Sequence, residues 1–356
     1  MNLSRFPKIL ICSLAVICCF SGAAMAADEQ IREDAAISVS DELRLPYAKA
    51  AVLIEANSGK ILFAKNSDTP LPPASTTKIL TVLLAMDMHA DMAKERTITP
   101  QAAAVGDMSL NLRAGEMLTL EELIQGALVH SGNDACYAIG QIIAGDEPFF
   151  VKWMNMKAAV LGAYSVNAAN TNGLPAAAHK MSAEDLARLS RYALGHQLFA
   201  ETVSSKYIQI GQGTSYRRYQ NTNKLLWQDK HIVGVKTGTT DAAGPCLVAA
   251  YQDGEALYIS VVMDSPDRYG ESYSLLNYAA KRYMLISFSC KDKTLVCLPD
   301  KGGWRRLKAK DDLRALVKED EIGDLHWEWH LKQGEESLSL KDGSGRELAA
   351  TELLQE

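Results

Sequence analysis

Two hydrophobic periods alternate along the chain. Residues 50–55 and 61–64 are apolar runs on either side of Asn57-Ser58-Gly59, a turn composition that predicts a β-hairpin. Leu71-Pro72-Pro73 interrupts the pattern, because proline removes a backbone donor and biases the preceding residue away from helix. Residues 75–88 then form a strongly apolar run that predicts a helix. From about 99 to 205 the spacing stays mostly helical, as over 120–143 and 183–194. Strand patterns return at 207–210 and 231–236. A second hairpin is expected from 246–251 and 256–263 around Gln252-Asp253-Gly254, followed by a closing helix over 272–286. Strands at both ends of this stretch have to meet in one antiparallel sheet, flanked by helices and split by a helical insertion over about 99–205. The fold class expected is therefore α/β (α+β). From 287 to 356 the texture changes to short alternating segments between Gly/Asp turns, such as 325–331 and 337–340, predicting a small C-terminal β domain. His326 and His330 share one face of such a strand and are expected to be exposed.

The N-terminus follows a different rule. Arg5 and Lys8 precede a run over 9–20 that is apolar apart from Ser13, and Ala24-Met25-Ala26 supplies a small-x-small cleavage site. That is the pattern of a secretory signal peptide, and the run is too short to span about 30 Å of hydrocarbon. Cleavage is expected after Ala26, leaving a polar extension over 27–46 and a main domain over 47–286. The protein is therefore expected to be exported, to a periplasmic or other extracytoplasmic space.

Composition narrows the class further. A length of 356 residues, 47% hydrophobic and 22% charged, fits two globular domains and excludes disordered, collagenous and coiled-coil chains. The net charge of −6 becomes −8 once the signal removes its two cations, which argues against nucleic acid as a partner. Of seven cysteines, Cys12, Cys18 and Cys19 leave with the signal. Cys136 and Cys246 lie in apolar runs, as buried free thiols do. Cys290 and Cys297 have hairpin spacing, which fits either a disulfide or two free thiols. No CxxC, HExxH or histidine cluster is present, so neither a metal nor a cofactor is expected.

Three short motifs carry candidate chemistry. Ser75-Thr76-Thr77-Lys78 opens the helix after the double proline, and residues three apart share a helix face. A serine becomes a strong nucleophile when a base takes its proton, and a lysine serves as that base once burial lowers its pKa. Ile79, Leu80, Val82, Leu83 and Leu84 supply the burial. Ser131-Gly132-Asn133 offers a hydroxyl to relay a proton and an amide to hold a substrate backbone. Lys236-Thr237-Gly238-Thr239 places a cation, a hydroxyl and a close-approach glycine at a strand. Taken singly, each is explained as well by a helix cap, a turn or a solvated strand-end lysine.

Their order and spacing match one constellation, that of penicillin-binding proteins and class A β-lactamases. From about 50 to 286 the chain resembles the D-alanyl-D-alanine carboxypeptidases among the low-molecular-mass penicillin-binding proteins. The likeness includes IEANSGKILFAKNSDTPLPPASTTKI, GALVHSGNDA, NTNGLP, NTNKLLW and GVKTGTTDAAGPCLVAA. It implies a transpeptidase-like catalytic domain with a small appended β domain. It implies Ser75 as nucleophile, Lys78 as general base and Ser131 as proton relay. Asn133, Lys236, Thr237, Gly238 and Thr239 would bind substrate, with the backbone N–H groups of Ser75 and Thr239 as oxyanion hole. Peptidoglycan stem peptides would be the substrates and β-lactams the inhibitors.

Two departures stand out. Some members carry histidine where this chain has Thr239. Many end in a membrane-anchoring amphipathic helix, whereas KDGSGRELAATELLQE is short and acidic and does not favour anionic lipid. A class A β-lactamase would need a glutamate roughly 35 residues after the second motif. Between Glu147 and Glu184 there is none, and asparagines such as Asn167 and Asn170 stand there. An inactive peptidoglycan-binding homologue is disfavoured by the intact motifs.

Overall fold

The turn at Asn57-Ser58-Gly59 joins two strands, β1 (Ala50–Glu55) and β2 (Ile61–Lys65), which pair antiparallel with Val52 opposite Ala64. The computed structural model describes residues 43–88, 91–300, 303–332 and 334–356. The expected signal peptide, its cleavage site after Ala26 and the start of the polar extension lie outside the described residues. Those described fall into two compact units, Leu43–Lys281 and Arg282–Glu356.

In the first unit, β3 (Glu95–Thr97) pairs with β4 (Met117–Thr119), and β5 (Tyr207–Ile210) with β6 (Arg217–Gln220). The main sheet adds β7 (Ile232–Thr240), β8 (Gly244–Asp253) and β9 (Ala256–Met263) to the first hairpin in the order β2-β1-β9-β8-β7. The pairing of β1 with β9, Ala50 opposite Met263 through Glu55 opposite Tyr258, closes the two ends of the unit into one sheet. Every residue of β1 is buried, so the sheet is covered on both faces rather than on one. The helix Ala183–Leu194 packs against β1 and β9. Strand β7 is left at the edge.

The helix Lys78–Asp87 is buried on all sides from Lys78 to Met86. Such a helix belongs in a core, and it packs against the helices Asn133–Ala144 and Glu147–Val160 of the insertion. Its first turn is tighter than expected: Ala74–Thr77 forms a 3-10 turn before the α-helix begins.

Two expected elements are redrawn. The helical run over 120–143 breaks into Leu120–Gln125, a wide turn Gly126–His130, and Asn133–Ala144. The break falls at Ser131, whose φ of 71° no right-handed helix can contain. The closing helix runs over Arg268–Arg282 instead of 272–286. It gives way to β10 (Tyr283–Phe288), because Ile286 and Phe288 pack against Ala315, Val317 and Leu340 of the second unit. The division between the units therefore precedes Arg282, ahead of the boundary expected after Ile286.

The second unit pairs β10 with β13 (Leu313–Lys318). Its larger sheet holds β11 (Thr294–Asp300), β12 (Gly303–Ala309), β14 (His326–His330), β15 (Ser337–Lys341) and β16 (Glu347–Gln355) in the order β11-β12-β16-β15-β14. Leu307, Ala309, Leu313, Leu338 and Leu353 form its core. His326 and His330 lie exposed on the edge strand β14. Cys136, Cys246, Cys290 and Cys297 are all free, so Cys290 and Cys297 do not cross-link. No described helix is long and apolar enough to cross a membrane.

Candidate active site

Ser75 sits half-buried in the 3-10 turn, directly after Ala74, whose φ of 48° is left-handed. Three contacts hold that turn. Thr77 Oγ1 donates to Ala74 O at 2.8 Å, and Thr76 Oγ1 to Pro73 O at 2.6 Å. On the other side Gly173 presses so close that a Cβ there would meet Ala74 O at 1.9 Å. A non-glycine residue persists in such a conformation only when its surroundings over-determine it.

Lys78 follows at the next turn and is 0% exposed. Its Nζ bonds Ser75 Oγ at 2.8 Å, Asn133 Oδ1 at 2.8 Å and Asn172 O at 2.6 Å. Two of these partners, an amide oxygen and a main-chain carbonyl, can only accept. A neutral amine keeps two N–H donors, enough for both, and turns its lone pair to the third partner. That partner is the Ser75 hydroxyl. Burial lowers the Lys78 pKa from 10.5 to about 8, opposed in part by Cys136 and Asp134. The neutral form needed to accept a proton is thus within reach near neutral pH.

The second motif supplies Asn133 from the start of its helix, where the Asn133 side chain also donates to Gly106 O at 3.1 Å. Asp134 is fully buried and accepts from Ser109 Oγ, Leu110 N and Leu112 N, which ties the neighbouring loop to this helix. Ser131 is buried, two residues before Asn133. The Nζ bonds of Lys78 go to Ser75, Asn133 and Asn172 and leave Ser131 out.

The third motif lies inside β7, not after it. Lys236 is 1% exposed, and its Nζ donates to Thr237 O at 2.9 Å. Burial and the nearby Lys78 push its pKa well below 10.5. A solvated strand-end lysine is excluded. Gly238 faces the nucleophile, for a Cβ there would lie 2.8 Å from Ser75 N. Thr237 Oγ1 shares a hydrogen bond of 2.7 Å with Thr222 Oγ1, and Thr239 is exposed. The three motifs, with Lys236 lying 161 positions after Ser75, therefore meet around Ser75.

Comparison with known proteins places the chain in a family. Residues 38–267 match the family model described as D-alanyl-D-alanine carboxypeptidase. The chain belongs to that family. It is 31% identical over 313 residues to the D-alanyl-D-alanine carboxypeptidase DacF of Bacillus subtilis, covering 85% of this chain and 80% of that protein. It is 31% identical to DacA of Escherichia coli, covering 80% and 72%. Among solved structures, penicillin binding protein 6B from Escherichia coli superposes with a TM-score of 0.74 at 28% identity, over 89% of this chain and 98% of that one. The chain is thus a serine peptidase of mixed α/β fold with a C-terminal β domain.

Sequence reasoning left out three residues that shape this carboxypeptidase site. Asn172 contributes a backbone carbonyl to Lys78, and side-chain identity carries no signal for that. Its segment is fixed by Glu147 Oε1, which accepts from Thr171 N and Oγ1 at 3.0 and 2.6 Å. His179 is buried, accepts from Ala169 N at Nδ1 (3.2 Å) and meets Thr77 Oγ1 at Nε2 (2.9 Å). Burial lowers its pKa to about 4, so it is neutral and donates from Nε2 to Thr77. Arg268 opens the last helix of the unit and donates through Nη1 to Gly238 O and Thr239 Oγ1, each at 2.7 Å. A lone arginine before a helical pattern has no motif to single it out.

Proposed function

We propose that this D-alanyl-D-alanine carboxypeptidase removes the terminal D-alanine of peptidoglycan stem peptides through an acyl-enzyme on Ser75. Neutral Lys78 takes the Ser75 proton as Oγ attacks the carbonyl carbon of the D-Ala-D-Ala bond. The developing oxyanion is met by the backbone N–H groups of Ser75 and Thr239, a placement supported by the close approach of Gly238 to Ser75 N. Ser131 passes the proton from Lys78 to the departing amine, and D-alanine leaves. Water then adds to the ester and releases the shortened peptide.

Substrate is held from two sides. Asn133 bonds the peptide backbone, and Thr237 and Gly238 border it on the open edge of β7. The terminal carboxylate is met by the cations of the strand. Lys236 supplies positive charge from below, and Arg268, anchored on Gly238 and Thr239, offers the more accessible guanidinium. β-Lactams acylate the same Ser75 hydroxyl.

The groups bonded to Lys78 Nζ are a serine, an amide and a main-chain carbonyl, with no carboxylate among them. Asn170, in the segment where a β-lactamase carries its glutamate, spends its side chain on Asn172 N, Gly173 N and Leu174 O. Both features favour a long-lived acyl-enzyme over rapid β-lactam turnover. The N-terminal pattern supports an extracytoplasmic location with cleavage after Ala26. The observation that carries the reading is Lys78 Nζ poised between Ser75 Oγ and two obligate acceptors. Purified protein is expected to release D-alanine from a diacyl peptide ending in D-Ala-D-Ala, and no release with an intact, folded enzyme would refute it. An added amine acceptor separates hydrolysis from transpeptidation.

A further inference from the structure

One face beside the candidate site is more basic and more aromatic than the chain around it. Residues 202–228 contain Lys206, Arg217, Arg218 and Lys224 and no acid, in a chain with 43 acidic and 37 basic residues. Arg217 turns inward to Glu116 and the Asn111 carbonyl, so its neighbour Arg218 faces outward on the other side of β6. Packing of this region rests on other residues: Ile208, Ile210, Leu225 and Leu226 are buried beneath it.

The outward side chains form a connected row that starts at the third motif. Thr237 Oγ1 bonds Thr222 Oγ1 at 2.7 Å, and Thr222 O accepts from Tyr269 OH at 3.1 Å. The Tyr269 ring lies 5.0 Å from the Arg268 guanidinium and 6.0 Å from Lys224 Nζ. Lys224 opens the short turn that ends in Trp227, whose indole has Lys206 Nζ at 5.9 Å and the edge-on Tyr207 ring at 6.1 Å. Arg218 covers the Tyr207 ring at 4.2 Å. Tyr207 and Trp227 are 45% and 39% exposed, and Lys206, Arg218 and Lys224 are exposed as well.

We infer that this row is a binding track for the rest of the cell-wall polymer, a glycan strand bearing carboxylate-rich peptides, beyond the D-Ala-D-Ala end that reaches Ser75. The inference rests on the carboxypeptidase reading and extends it to the substrate's distal part. Aromatic faces stack on the apolar faces of sugar rings, and cations without acidic partners attract carboxylates. The cations beside the rings, Lys206 at Trp227 and Arg218 at Tyr207, hold them in place. The row joins β7 through the Thr222–Thr237 hydrogen bond, so a polymer bound along it lies beside the Ser75 site. Its charge is opposite to that of an anionic wall polymer, whereas the protein as a whole is acidic.

The test compares two substrates and one binding measurement. D-Alanine release is followed from isolated peptidoglycan sacculi and from a short diacyl D-Ala-D-Ala peptide, and binding to sacculi is measured by sedimentation at low and high salt. Two variants are used, Lys206→Gln with Arg218→Gln, and Trp227→Ala. Each is expected to lose about tenfold on sacculi, a modest loss of binding free energy, while the short peptide and penicillin acylation change less than about twofold. The charge variant should also flatten the salt dependence of sedimentation. Unchanged activity and binding on sacculi in both variants would overturn the track. Parallel losses on both substrates would overturn it too, as marking a structural role; the charge variant, confined to exposed side chains, guards against misfolding of Trp227→Ala. Equal, equally sensitive binding of polyglutamate would replace the sugar-stacking part by simple polyanion attraction and so contradict the proposal as stated. If wild-type protein binds sacculi in the expected way yet releases no D-alanine from either substrate, the carboxypeptidase reading fails and the track stands.

Discussion

Lys78 and Lys236 are two buried lysines in one site, and their surroundings differ in kind. Both are essentially without exposure, and burial lowers the pKa of each. Around Lys78 Nζ the partners are the Ser75 hydroxyl of its own turn and two acceptors from other segments, Asn133 Oδ1 and Asn172 O. Lys236 Nζ, by contrast, bonds the carbonyl of Thr237 in its own strand. Burial alone therefore does not assign a role. A lysine between two obligate acceptors and one hydroxyl is arranged to exchange a proton. A lysine held only by its own strand is arranged to offer its charge to something that arrives.

The sharpest way to break this contrast is to remove each amine. Lys78→Ala should lower the rate of acylation by penicillin about 10³-fold, the scale of general-base catalysis. Lys236→Ala and Arg268→Ala should each raise KM for a D-Ala-D-Ala peptide about tenfold, with a smaller effect on the acylation step. Equal effects of Lys78→Ala and Lys236→Ala on both parameters would erase the distinction, and stopped-flow acylation with steady-state kinetics measures it.

Acidity separates the two lysines as well. Lys78 has to be neutral to accept the Ser75 proton, so acylation should rise with pH through about 8, the value to which burial lowers it. Lys236 has to be charged to attract a carboxylate, so substrate affinity should fall with rising pH as that amine deprotonates below its ordinary range. A pH profile of kcat and KM tests this: both should rise with pH, kcat as Lys78 deprotonates and KM as Lys236 loses its charge, and a KM that falls over the same range would contradict the assignment.

A smaller effect is expected at His179, which positions the nucleophile through Thr77 and Ala74. His179→Ala should reduce kcat several-fold and cost about 1 kcal/mol of stability, the worth of one buried hydrogen bond. His179→Gln, whose Nε2 can donate to Thr77 in the same place, should recover kcat more than Tm. Loss of Tm without any change in kcat would make His179 a packing residue only.

What could be read from the sequence follows from how local each signal is. The turn at Asn57-Ser58-Gly59 and the strands at the two ends of the first unit announce the β1–β9 closure through local chemistry. Ser75 and Lys78 share a helix face at a spacing that any helical turn imposes. The third partner of Lys78 is a main-chain carbonyl 94 residues away, and no side chain at position 172 encodes it. The break at Ser131 carried a local signal, the turn composition Ser131-Gly132-Asn133, inside a stretch read as one helix, and its left-handed backbone is where the interruption falls. Between Ser272 and Ile286 there is no glycine or proline, so periodicity alone did not separate the helix ending at Arg282 from strand β10. Tertiary pairing with β13 made that decision.

The central claim is that Ser75 carries the acyl group. Intact-protein mass spectrometry after brief exposure to penicillin tests it directly, with peptide mapping of the adduct. The wild-type protein should gain one penicilloyl group on the peptide containing Ser75, lasting for minutes or longer, and Ser75→Ala should gain none. A full adduct on Ser75→Ala, or an adduct mapped to another residue in the wild-type protein, would contradict the account.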